Sequence, residues 1–220
     1  GEEHIALFKR YKVHVGFSID GPGELNAARV AGTPEQTLEA TNRSVAALRR
    51  CLAEGISASL IVTLHRLNAG PDRLPRLLGW LRDLAAAGLR SPLRLHSLEL
   101  DAGARHVALG LDETVAAFRA CRAVAREARL QPDVFEDIEK KLRDPDASAT
   151  CTWNDCDPWT TPAVHGIGPD GSRSLCQRVH KDGRQWAPMA GAPVRIRQAV
   201  LWSTPQEAGG CHGCRFFLQC

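Results

Sequence analysis

The chain has 220 residues, 44% hydrophobic and 24% charged, with a formal net charge of +3. That is enough for one large or two small globular domains, and the charge is too mild and too scattered to argue for a nucleic-acid or membrane partner. No apolar run reaches the length of a bilayer span, and the start, GEEHIALFKRYKVHV, is acidic and lacks the small-residue cleavage site of a signal peptide.

The segment KVHVGFSID (12–20) alternates Val13, Val15 and Phe17 with His14, Gly16 and Ser18, then meets the breaker GPG, which predicts a strand. PEQTLEATNRSVAALRRCLAEG (34–55) has helical spacing, with a capping box of Thr33 and Gln36, Pro34 in the first turn and Gly55 as the stop. ISASLIVTL (56–64) predicts a second strand, residues 72–88 a second helix, LRLHSLEL (93–100) a third strand, and 112–130 and 134–142 two more helices. Strand and helix in alternation are the signature of βαβ units and a parallel sheet. Three strands do not close a barrel, so the segment is expected to be a piece of a larger α/β sheet or barrel. Near residue 144 the chain becomes turn-rich and cysteine-bearing, which places a domain boundary between 143 and 151 and divides the chain into 1–145 and 146–220. There, AVHGIGPDGSRSLC predicts a hairpin across its Pro-Asp-Gly, and residues 194–205 a short helix.

Six of the eight cysteines fall in this second part: Cys151, Cys156, Cys176, Cys211, Cys214 and Cys220. Cys51 and Cys121 lie alone in helical patterns and are expected to be small buried hydrophobes. Clustered thiolates are soft ligands for zinc, copper(I) or iron–sulfur clusters. Zinc prefers two Cys-x2-Cys knuckles, and only Cys211 and Cys214 form one. Iron–sulfur clusters take four thiolates each and accept wider spacings. A structural zinc module remains open on spacing alone.

The order Cys156-x14-Gly171-x4-Cys176, a gap, then Cys211-x2-Cys214-x5-Cys220 resembles the SPASM domain of radical S-adenosylmethionine enzymes. The family pattern continues with x3-Cys and a final Cys, neither present here. VGFSIDGPGELNAAR (15–29) resembles the fourth-strand segment of the same enzymes, with Ser18, Ile19, Asp20, Gly21, Pro22 and Arg29 in place and Asn26-Ala27 where His-Asp is usual. The Cys-x3-Cys-x2-Cys triad and the glycine-rich segment after the second strand are absent from these residues. Both ends stop in register with the family pattern, so strands one to three are expected before Gly1.

This resemblance implies the second half of a partial (β/α)6 radical barrel over 1–145 and an incomplete SPASM/twitch-type domain over 146–220. It implies an oxidoreductase that reductively cleaves S-adenosylmethionine (AdoMet) and abstracts hydrogen from a peptide or protein, as in maturation of ribosomally made peptides by crosslink, epimerisation or thioether formation. It further implies 4Fe–4S clusters: Cys151, Cys156 and Cys176 as three ligands of one auxiliary cluster, and Cys211, Cys214 and Cys220 as three of a second. Ser18, Asp20 and Arg29 are the candidate AdoMet contacts, at the end of a strand where α/β sites gather; the bland alternatives are a turn cap for Asp20 and a surface ion pair for Arg29. Gln177 stands where sulfatase-maturing members carry an Asp, which argues against that substrate class. An electron donor such as flavodoxin or ferredoxin and a reducing cytoplasm complete the expectation. The alternatives are a degenerate, non-catalytic peptide-binding SPASM partner and a structural zinc-binding α/β module.

Overall fold

In a computed structural model, the residues described are 1–90, 92–98, 103–144, 166–167, 170–171, 173–174 and 213–215. They form two compact units, Gly1–Glu136 and Asp137–Cys220.

The first unit opens on helix α1 (Glu2–Arg10), which the sequence reading passed over. Glu2 and Glu3 in its first turn and Lys9 and Arg10 in its last complement the helix dipole. Ile5 and Phe8 pack against the core, and ion pairs Lys9–Glu54 and Arg50–Glu2 tie α1 to the next helix. Strand β1 (Val15–Ser18) follows, then helix α2 (Pro34–Ala53). The capping box forms as its residues predict: the Thr33 side chain accepts from the Gln36 amide at 3.3 Å, and the Thr33 amide donates to Gln36 Oε1 at 2.8 Å. Strand β2 (Ala58–Leu64) leads through a four-residue turn of helix, α3 (Arg66–Ala69), to α4 (Leu74–Ala86). Strand β3 (Pro92–Ser97), α5 (Leu111–Ala128), a two-residue strand β4 (Gln131–Pro132) and α6 (Asp133–Arg143) complete the order.

The four strands make one parallel sheet in the order β1-β2-β3-β4. Strand β4 is too short and too proline-bearing to show period-2 alternation, which is why sequence patterning yields three strands here. In the second unit Gly166–Ile167 (β5) pairs antiparallel with Arg173–Ser174 (β6). The turn holds Gly171 at φ +79°, so the expected hairpin across Pro-Asp-Gly is present. The expected helix over 194–205 lies outside the described residues.

Alternation decides which face the helices cover. Along β2 the even positions Ala58, Leu60, Val62 and Leu64 are buried, and the odd positions Ser59, Ile61 and Thr63 are half-buried. The register sets Phe17 beside Leu60 and Leu60 beside Leu93, so these side chains share one face. They form one cluster with Leu48 and Cys51 of α2, Leu77, Trp80, Leu81 and Leu84 of α4, and Ala117, Cys121 and Val124 of α5. Each fully buried leucine contributes about 2 kcal/mol of apolar transfer energy.

Candidate functional site

A parallel sheet normally carries helices on both faces. Here the second face is polar. The register aligns Gly16 with Ser59, Ser18 with Ile61 and Arg94, and Thr63 with His96. Continuing that period past the strand ends puts Asp20 and His65 on the same side, above Ser18 and Thr63. The functional candidates therefore gather at the carboxyl end of β1 and β2, on the face opposite the core.

The chain after β1 is built to hold Asp20 in place. Gly21 has φ +147°, and a Cβ there would lie 2.6 Å from that of Leu25, so only glycine makes this bend. Asn26 is buried: its Oδ1 accepts from the Asp20 amide at 2.7 Å and its Nδ2 donates to Thr41 Oγ1 at 2.9 Å. Asn68 Nδ2 donates to the carbonyls of Asp20 at 2.7 Å and Thr63 at 2.8 Å, joining the two strand ends.

Asp20 itself is 2% exposed. Its Oδ1 accepts from Arg29 Nη2 at 2.9 Å and from the Thr63 amide at 2.8 Å. Its Oδ2 has Arg29 Nε at 2.8 Å, in ion-pair contact but not in line for a hydrogen bond, and His65 Nε2 at 3.6 Å. Burial alone would raise the Asp20 carboxyl. The nearby His65 ring, the hydrogen bond and charge of Arg29, and the hydrogen bond from the Thr63 amide outweigh it, so the group sits below its ordinary value and is ionised.

Of the three residues expected to meet AdoMet, Asp20 and Arg29 come together as a pair, and Ser18 stands exposed one pleat below. The Arg29 side chain is 34% exposed, and its Nη1 has no hydrogen-bond partner among the described residues. One edge of a guanidinium fixed from behind by a carboxylate is free to take an anion. Both Asp20 oxygens face protein groups: Oδ1 accepts two hydrogen bonds, and Oδ2 lies against Arg29 Nε and His65 Nε2. His65, Asn26, Asn68 and Thr63 were not singled out by sequence reasoning. The signal for His65 was the odd-numbered series Ser59, Ile61, Thr63, His65 along β2, together with a His-x2-Asn start to α3 that works as a capping box. His14 is exposed, and its ring nitrogens lie 2.7 Å from Ser57 Oγ and 2.8 Å from Ser59 Oγ.

A cavity of 410 Å³ lies between the 23–32 segment and the start of α2, lined by Ala27, Val30, Pro34 and Leu38 among others. Its lining is mostly apolar and includes none of Ser18, Asp20 or Arg29. Of the six clustered cysteines, Cys214 is described and is an exposed free thiol; Cys151, Cys156, Cys176, Cys211 and Cys220 lie outside the described residues. Among the described residues no group of three or more His, Cys, Asp or Glu is placed to hold a metal ion, and no helix is long and apolar enough to cross a membrane.

No protein-family model matches the chain, and no curated protein matches it. Among solved structures it is similar to native anSMEcpe with bound AdoMet and Cp18Cys peptide, at a TM-score of 0.68 and 14% identity. The match covers 100% of this chain and 62% of that one. At this identity the likeness shows a shared fold: an α/β chain with a parallel sheet, similar along its full extent to a protein that binds AdoMet and a peptide.

Proposed function

We propose that the chain is part of a radical AdoMet enzyme with a SPASM-type auxiliary-cluster domain, acting on a peptide or protein. The observation that carries this reading is the fold shared along the whole chain with an AdoMet- and peptide-bound protein. The cysteine spacing from Cys156 to Cys220 and the Ser18–Arg29 segment support it independently. Residues 1–145 are then the second half of a partial barrel, whose inner surface is the polar face of the sheet.

The chain's own residues divide the work. Arg29, braced by Asp20, takes the carboxylate of AdoMet through its free edge. The Ser18 hydroxyl hydrogen-bonds a polar group of the same molecule. Cys151, Cys156 and Cys176 contribute to one auxiliary 4Fe–4S cluster, and Cys211, Cys214 and Cys220 to the other. The chemistry supplied by the bound groups is one-electron cleavage of AdoMet and removal of a hydrogen atom from the peptide. For this the chain works with a Cys-x3-Cys-x2-Cys segment that its 220 residues do not contain. Gln177 stands where sulfatase-maturing enzymes have an Asp, so a crosslink, an epimerisation or a thioether in a ribosomally made peptide is the favoured outcome. An electron donor of the flavodoxin or ferredoxin kind and a reducing cytoplasm suit such chemistry.

The test is reductive cleavage of AdoMet. Protein from the full reading frame, loaded anaerobically with iron and sulfide and reduced with dithionite, is expected to release 5′-deoxyadenosine. Fully loaded protein that releases none would overturn the reading.

A further inference from the structure

The Asp20–Arg29 pair has a third member that neither the fold likeness nor the sequence motif assigns. His65 is 1% exposed, and each of its polar groups is directed. Its amide donates to Asn68 Oδ1 at 2.9 Å. Its Nδ1 accepts from the Leu67 amide at 3.2 Å, which requires a lone pair on Nδ1. A neutral ring accepting there carries its proton on Nε2. That Nε2 has no hydrogen-bond partner and lies 3.6 Å from Asp20 Oδ2.

Asp20 Oδ2 is thus flanked by two buried N–H groups, the Nε2–H of His65 and the Nε–H of Arg29, and neither is satisfied by a hydrogen bond. The two compete for one oxygen. A carboxylate and a guanidinium alone settle into two parallel hydrogen bonds. Here one bond is in line, from Nη2 at 2.9 Å, and the Nε contact is skewed. Nη2 also lies 3.5 Å from Thr63 Oγ1. Thr63 belongs to the polar face, so the guanidinium is directed there.

We propose that His65 is a positioning residue: by drawing Asp20 Oδ2 toward its Nε2–H, it prevents a full fork between Asp20 and Arg29 and holds the free edge of Arg29 toward the polar face. The inference rests on the reading of that face as the AdoMet site. Without His65 the carboxylate pivots, the fork closes, and Arg29 loses its aim at the ligand's carboxylate. The groups facing His65 and Asp20 are Arg29, Thr63, Asn26 and Asn68, of which only Arg29 carries charge.

The experiment compares His65→Leu, which removes the donor, with His65→Gln, which keeps an N–H donor on a similar reach. Binding of AdoMet and of its decarboxylated analogue is measured for each and for the unaltered protein, all expressed from the full reading frame and loaded with iron and sulfide. His65→Leu is expected to weaken AdoMet about tenfold and to leave the analogue unchanged, with His65→Gln recovering most of the loss. Equal weakening of both ligands would mean a merely structural role and would overturn the proposal. Two nitrogen-15 spectra read the inference without any ligand. The His65 ring is expected as the neutral Nε2–H tautomer, and the Arg29 Nε–H resonance is expected to move in His65→Leu. An Arg29 signal that stays put overturns the positioning role. Failure of the unaltered chain to prefer AdoMet over the analogue, with that signal moved, sinks the AdoMet reading instead.

Discussion

Asp20 shows how a charge is kept inside a protein. Burial costs an isolated carboxylate several kcal/mol, and two amino-acid partners plus one backbone amide offset it. Asp20→Asn leaves Arg29 without its counter-charge, and because Arg29 keeps access to water the loss should be about 2 kcal/mol, below that of a fully buried pair, in urea unfolding. The pH dependence has a definite sign. The folded state lowers the Asp20 value below its ordinary 3.8, so the folded chain binds this proton less readily than the unfolded one. The stabilisation is complete above 3.8, and it is lost as the pH falls through the folded value. Asp20→Asn should flatten this acid limb of the stability curve; an unchanged limb would show that Asp20 is not the group responsible. Cysteines divide by the same physics. Burial pushes the Cys121 thiol up to about 12, whereas Cys214 is exposed. In the metal-free chain, brief alkylation at pH 8 followed by peptide mass mapping should label Cys214 and spare Cys121 until the chain is unfolded. Labelling of both at one rate would contradict the placement of Cys121 in the core.

The connection from β1 to α2 is where local chemistry and site meet. Gly21, Asn26, the Thr33 capping box and Thr41 together fix the loop that bears Arg29. Gly21→Ala combines a left-handed backbone with a 2.6 Å clash against Leu25 and should cost about 2 kcal/mol or more in thermal unfolding. A neutral result would mean that the bend is more tolerant than this geometry allows. Much of this was legible beforehand. The capping box, Pro34, Gly55 and the period of β2 all signal their elements within a few residues, because each signal is local. What escaped was long-range. Helix α1 lacks an N-terminal side-chain cap and buries no residue fully, so its stability comes from ion pairs and packing with residues far along the chain. Strand β4 exists only because β3 lies beside it. The pairing of Asp20 with Arg29 joins residues nine apart across a turn, and no periodicity reports it.

The sheet as a unit has one apolar face closed by α2, α4 and α5 and one polar face bearing Ser18, Thr63, Arg94 and His96. The candidate residues at the carboxyl ends of its strands lie on the polar side. The chain spans 62% of the length of anSMEcpe. The proposed function requires that the protein hold iron. The decisive measurement is iron, sulfide and zinc content of protein expressed from the full reading frame and reconstituted without oxygen. About twelve irons per chain are expected, three clusters of four. About eight would leave only an auxiliary pair and contradict AdoMet cleavage, and zinc without iron would make the cysteines a structural metal module and contradict the account outright.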